Sequence, residues 1–191
     1  MDYKAEVFMV QYPLVTRFVY HAVYYRELHL AYCSASLESE FWTHTIDAHI
    51  LQSVVYWCMV FGKQGCNRTH WKHLSETESE SLQCSFRRRL FEETDLSPER
   101  WTEYWQSITK FRNEYAAHRE LQIKCKVPKL DTALNVAYFY DRWIREVISP
   151  DVFDDPYLQE LATALIKKIK PLIESLIQVT KTYNQETKPF A

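Results

Sequence analysis

Glycine is almost absent from this chain: two occur in 191 residues, Gly62 and Gly65, three positions apart. Sandwiches and barrels of β-strands need many tight turns, and tight turns draw on glycine. Two glycines in one short stretch therefore speak against those architectures and leave long helices joined by few connections. No apolar run reaches the roughly 20 residues that a membrane-spanning helix requires. The most apolar window, residues 50–61, includes Gln52 and Ser53. A glycine-rich phosphate loop, a nucleophile elbow and the Glu-x-x-His pairs of di-iron bundles are all missing. Those absences disfavour ATP-driven chemistry and ferritin-like metal oxidation. Neither sign of charge dominates: 23 basic and 25 acidic residues leave a net charge of −2. A global basic field for non-specific nucleic-acid binding is thus excluded, and any such contact must come from a local patch. The cysteines (Cys33, Cys58, Cys66, Cys84 and Cys125) are odd in number, scattered and without a Cys-x-x-Cys pair. That usage fits reduced thiols in a cytoplasmic protein. Residues 1–6 lack the basic-then-apolar plan of a signal peptide.

Large rings are what the chain has in abundance, with 13 Tyr, 10 Phe and 6 Trp. They predict a core built from aromatic side chains, some exposed enough to serve an interface or to stack on bases. The length suits a single domain over residues 1–191. A first helix is expected over about residues 14–33, with a possible start before Pro13. Ser36 and Ser39 offer caps for a second from about Glu40 to Phe61, which Gly62 ends. Residues 62–78 read as a loop holding one turn around 70–74, and a shorter helix follows over about 80–94. The clearest start is Ser97 as N-cap with Pro98 at the first helical position. This helix carries Trp101, Tyr104, Trp105, Ile108, Phe111 and Tyr115 at steps of three and four, one apolar stripe. It is expected to reach about residue 124 and to stop before Pro128. Asp131 is expected to cap a helix ending near Val147. Asp155 with Pro156 is expected to start a last one, kinked or split by Pro171. The fold class is all-α, an antiparallel bundle of five or six helices.

The stretch Arg112-Asn113-Glu114-Tyr115-Ala116-Ala117-His118 stands near the end of the striped helix. It joins a permanent cation, suited to holding a phosphate, to an acid/base that titrates near neutral pH. Together these can cut RNA without a metal. On a regular α-helix six residues span about 9 Å of rise and roughly 120° of azimuth, so Arg112 and His118 flank opposite edges of the stripe. They meet only if the helix loosens near Ala116-Ala117, or if a two-fold axis brings a second copy alongside. The competing reading is structural: both are boundary residues, with the arginine stem over the core and its head in water.

The segment Phe111-Arg112-Asn113-Glu114-Tyr115-Ala116-Ala117-His118-Arg119-Glu120 resembles the signature of the HEPN superfamily, compact helical bundles with an arginine, a polar residue and a histidine four to six positions on. Upstream, Trp57-Cys58-Met59-Val60-Phe61-Gly62 and Thr69-His70-Trp71-Lys72-His73-Leu74 are similar to the branch found among phage abortive-infection proteins. The resemblance implies a metal-independent endoribonuclease in a toxin or phage-defence setting. It also implies a homodimer with the site at the two-fold interface, RNA as substrate, no cofactor, and a cognate antitoxin protein as partner. His118 then moves the proton at the ribose 2′-hydroxyl or the leaving oxygen, Arg112 holds the scissile phosphate, and Asn113 orients histidine or substrate. The products are a 2′,3′-cyclic phosphate and a 5′-hydroxyl. Some toxins of the superfamily carry a modifiable tyrosine two places after the histidine. This chain has Glu120 there, so that control is not expected. Other members are non-catalytic modules that bind RNA or a partner protein, which is the alternative.

Other constellations are weaker. Cys66, His70 and His73, with Cys58, have spacings a zinc site uses, but the clustered three fall one ligand short. The plainer expectation is that the histidines pack with Trp71 or face solvent. His44 and His49 read as core-edge residues, and His21 and His29 as isolated ones. Arg87-Arg88-Arg89, with Lys124, Lys126 and Lys129, form either a local phosphate track or a solvated face. Asn67-Arg68-Thr69 matches a glycosylation sequon by coincidence.

Overall fold

A computed structural model describes residues 3–75, 79–117, 126–149, 151 and 153–186. Six α-helices account for most of them, and no strand occurs among the described residues. They are α1 (Ala5–Ala35), α2 (Glu40–Phe61), α3 (Ser79–Thr94), α4 (Pro98–Phe111), α5 (Leu130–Val147) and α6 (Leu158–Glu186). A single 3-10 turn covers Trp71–Leu74 between α2 and α3. The protein is an all-α bundle.

Directions along the bundle follow from side-chain pairs. His21 meets His49, and Arg17 lies over Tyr56, so α1 and α2 are antiparallel. Arg26 pairs with Asp131 and Tyr12 bonds Asp141, which sets α5 antiparallel to α1 as well. Lys170 approaches Glu27, and Trp42 donates its indole N–H to Thr180. The last helix therefore runs beside the first in the same direction. Buried aromatic rings fill the centre: Phe18, Trp42, Trp57, Phe61, Phe86, Phe111, Phe139, Tyr140 and Trp143 each show 2% exposure or less. Trp71 stacks on Phe86 with ring centroids 3.9 Å apart, and Phe86 meets Trp143 edge-on at 4.9 Å.

Several boundaries differ from the sequence expectations. Helix α1 takes the earlier start that the sequence left open, at Ala5 and not near residue 14, because Phe8, Gln11 and Tyr12 are buried while Pro13 faces outward. The missing N–H of an outward proline is tolerable when the turns on either side are held by packing. Pro171 does not split α6 for the same reason: it is exposed, whereas Ile169 and Ile173 beside it are buried. Ser39 occupies the N-cap position of α2 without a side-chain bond, and Ser36, at φ 50°, closes α1. Ser97 does cap α4, accepting the Arg100 N–H at 3.2 Å, with Pro98 following it. Asp131 lies inside the first turn of α5 and salt-bridges Arg26 at 3.3 Å, while Lys129 holds the N-cap place. Its carboxylate still favours the positive end of the helix.

Gly62 stops α2 through space and not through a left-handed turn. Its N–H bonds the Cys58 carbonyl at 3.0 Å, and a Cβ there would sit 2.4 Å from that same oxygen. Beyond it, Asn67 donates its side-chain amide to the Met59 carbonyl at 2.7 Å and the Cys58 carbonyl at 3.3 Å. The Met59 carbonyl, orphaned where α2 ends, is satisfied in this way, and the Cys58 carbonyl gains a second donor. The sequon asparagine is a helix cap.

Candidate functional site

The largest departure from the sequence reading falls on the Arg–His motif itself. Helix α4 was expected to run unbroken through it to about residue 124. Its α-helical geometry ends at Phe111 instead, and Arg112–Ala117 continue as a π-helical segment. In such a segment each N–H reaches one residue further back, and the turn widens; segments of this kind recur at functional sites. Its apolar side is firmly seated, since Ile108 and Phe111 are buried and the Tyr115 ring stacks on Phe111 at 5.1 Å.

Arg112, at the start of this segment, is half-buried against α2. Burial pushes the Cys58 thiol up to about 12, while the charge and hydrogen bonding of Arg112 pull it the other way. The guanidinium is therefore held beside the thiol, one turn before the glycine that ends α2. Asn113 and Glu114 are also half-buried, and Glu114 lies 3.7 Å from Lys110 on the preceding turn. His118, Arg119, Glu120, Lys124 and Cys125 lie outside the described residues, so the arginine and asparagine are placed and the histidine is not.

The same crossing of α2 and α4 contains a buried N–H with no acceptor, the Trp57 indole. Trp101 and Tyr104 pack on Trp57 with centroids 6.0 and 6.1 Å away. Tyr104 donates to the Lys129 carbonyl at 3.0 Å, tying α4 to the entry of α5. Burial raises the Tyr104 pKa above the phenolic range, so this hydroxyl stays protonated.

The zinc reading does not survive the geometry of His70. Its Nε2 donates to the Gly62 carbonyl at 3.2 Å, and its Nδ1 accepts the Lys72 N–H at 3.2 Å. Both ring nitrogens are committed to holding the loop after α2. Among the described residues no group of three potential ligands forms. Burial first, and then the Lys72 charge, lower the His70 pKa to about 4. A neutral ring in the fold against a pKa near 6.5 in the unfolded chain means stability is fully present above about pH 6.5 and is lost as pH falls toward 4. The loss amounts to about 3 kcal/mol at the acid end of that window. Urea titrations at several pH values check this: His70→Gln is expected to flatten the slope between pH 6.5 and 4.5. The His21–His49 pair adds a contribution of the same sign, since burial lowers both.

Other features escaped the sequence reading. His21 and His49, taken as unrelated, face each other from α1 and α2 with Nδ1 atoms 2.9 Å apart. Asp141, 1% exposed, accepts from Tyr12 Oη at 3.0 Å, from Arg145 Nε at 2.9 Å and from the Leu158 N–H at 2.7 Å. That last bond starts α6, so the helix begins at Leu158 and not at Asp155. The basic run divides: Arg89 is fixed between Glu93 and Glu146, Arg88 approaches Glu92 at 3.9 Å, and Arg87 is exposed without an ion pair among the described residues. A cavity of about 640 Å³ between α5 and α6 has walls of mixed charge and shares no residue with the surroundings of Arg112. No helix among the described residues is long and apolar enough to cross a membrane. Compared with known proteins, the chain matches no family model, no curated sequence and no solved structure.

Proposed function

We propose that this chain is a HEPN-like, metal-independent endoribonuclease of a toxin or phage-defence system, acting as a cytoplasmic homodimer with Arg112, Asn113 and His118 at the interface. The observation that carries the proposal is the position of Arg112. It opens the π-helical segment that follows α4 and is half-buried beside Cys58, inside an all-α bundle. A guanidinium held at a helix break is a preorganised phosphate ligand, and Arg forks match phosphate oxygens in pairs.

In this mechanism His118, as base, takes the 2′-hydroxyl proton, and the freed oxygen attacks phosphorus. The bond to the 5′-oxygen breaks, and a proton passes to that leaving oxygen. Arg112 neutralises the charge that builds on the phosphoryl oxygens, and Asn113 orients the imidazole or the substrate. The products are a 2′,3′-cyclic phosphate and a 5′-hydroxyl, and DNA is spared because it lacks the internal nucleophile. No cofactor is required, and a cognate antitoxin protein is the expected partner.

A second reading draws on the same contact. An arginine turned toward Cys58 suits a non-catalytic module that binds RNA or a partner protein through the neighbouring aromatic and basic surface. One experiment separates the two: wild type and His118→Ala are incubated with total RNA and EDTA, and the fragment ends are analysed. Cleavage by wild type alone, leaving cyclic phosphates, is the expected result. Equal cleavage by both proteins removes His118 from the mechanism, activity lost to EDTA calls for a metal, and intact RNA in every lane favours the binding module.

A further inference from the structure

A cleft of about 320 Å³ opens where the end of α2, the 3-10 turn, α3 and the first half of α4 converge. Its floor is the Trp71–Phe86 stack, and half-buried Trp101 and Trp105 line it. Trp105 is fixed by its indole N–H, which bonds the Phe61 carbonyl at 2.8 Å. Lys63, Lys72 and Arg87 also line it, and among the described residues no carboxylate does. None of these three cations forms an ion pair among the described residues, whereas Arg26, Arg88, Arg89, Arg142 and Arg145 all do.

Two of the cations also crowd each other. Burial first, and then the charge of Arg87, lower the Lys72 pKa. The Lys72 ammonium sits 5.9 Å from the Trp71 ring centroid. Like charges gathered at an aromatic cleft with no counter-charge among the described residues cost free energy, and an anion bound between them offsets that cost. A bare inorganic anion leaves the indoles idle. A flat ring alone leaves the cations unpaired. A nucleotide uses both, because bases stack on aromatic side chains without regard to sequence and phosphate takes Lys and Arg. The volume sits at the lower end of the range for small-molecule sites, about 300–1,000 Å³, which suits one nucleotide and not a dinucleotide cofactor.

We propose that this cleft binds a nucleotide, with the base against Trp101 and Trp105 and the phosphate on Lys72 and Arg87. Two sources share that chemistry: a free mononucleotide and one unit of single-stranded RNA. The RNA source rests on the ribonuclease reading given above. Phe61 in the cleft and Cys58 beside Arg112 are within one turn of α2, and Trp105 precedes Arg112 by about 10 Å of helix rise, so one strand spans both places.

Calorimetric titration of the full chain tests the proposal, using AMP, UMP, adenosine, inorganic phosphate and a single-stranded 2′-O-methyl hexanucleotide that cannot be cleaved. A nucleotide or the hexanucleotide is expected to bind saturably. Adenosine and phosphate are each expected to bind at least tenfold more weakly, as are AMP, UMP and the hexanucleotide to Arg87→Glu. Arg87 is exposed and forms no ion pair among the described residues, so this variant keeps the fold; Lys72→Gln gives a second, milder measure. Hexanucleotide binding at least tenfold tighter than AMP and UMP assigns RNA, and any smaller advantage, or none, assigns the free nucleotide. The proposal is overturned by no saturable binding at millimolar ligand, by binding unchanged in Arg87→Glu, or by phosphate binding as tightly as AMP. Arg112→Ala, which lies outside the cleft, is expected to retain nucleotide binding. A failure of the ribonuclease reading then shows as absent cleavage with the cleft still occupied.

Discussion

Replacing Arg112 with alanine is expected to lower RNA cleavage by about 100- to 1,000-fold, the effect of deleting one preorganised donor to a developing oxyanion. Arg112→Lys is expected to recover little of this, because an ammonium cannot make the paired bonds of a guanidinium. The fold is expected to persist in both variants, since the π-helical segment is seated by Ile108, Phe111 and Tyr115 and not by the arginine head. Cleavage rates under EDTA, together with thermal melts, check both halves. A melting temperature that collapses along with activity makes Arg112 a structural residue held by Cys58, and the ribonuclease reading loses its central support. Cys58→Ser separates the two roles further, because a hydroxyl keeps a polar partner for the guanidinium within α2. It is expected to change the rate much less than Arg112→Ala does.

The second large effect lies far from this site, at Asp141. Its carboxylate serves α1 through Tyr12, its own helix through Arg145, and the start of α6 through the Leu158 N–H. Arg145 in turn bonds the carbonyls of Phe153, Asp155 and Pro156 and lies over the rings of Phe153 and Tyr157 at 4.8 and 4.5 Å. Removing the carboxylate leaves the Arg145 cation, with 14% side-chain exposure, without its counter-charge, and the buried Leu158 N–H without its acceptor. Asp141→Ala is expected to cost about 3–5 kcal/mol by urea unfolding, the usual penalty for breaking a buried pair from one side. The double variant Asp141→Leu/Arg145→Met is expected to be more stable than Asp141→Ala, because it removes the stranded charge along with its partner. A loss below about 1 kcal/mol in Asp141→Ala sets aside this node as the anchor of α6.

The Asp141 node and the Arg–His stretch show opposite limits of reading a chain. Asp141 and Arg145 are visible as an i, i+4 pair of opposite charge, a spacing that usually marks a solvated helix face. Nothing in that spacing says that Tyr12, more than a hundred residues earlier, and the turn before α6 close over it. The Arg112 stretch gave an expectation of chemistry, yet its geometry was not legible. The apolar stripe from Trp101 to Tyr115 continues at helical steps through the point where the α-helix gives way to the wider π turn. Periodicity reports which face is buried, and both helical forms keep one face buried.

Local chemistry was sufficient wherever one residue decides a backbone bond. Ser97 and Pro98 set the start of α4 because they supply an acceptor for an orphan N–H and dispense with another. Two glycines in the whole chain pointed to the all-α class, because sandwiches and barrels need many tight turns and tight turns draw on glycine. Gly62 marked the end of α2, although the reason is a carbonyl 2.4 Å from where a Cβ would stand. Tertiary structure alone decided the rest. It carried α1 through Pro13, turned His70 into the clasp of a loop, brought His21 to His49, and divided the arginine run into two paired members and one that faces an aromatic cleft. Each of those outcomes depends on what another helix places opposite, and burial and pairing across helices are properties of the packed chain that no short stretch of sequence contains.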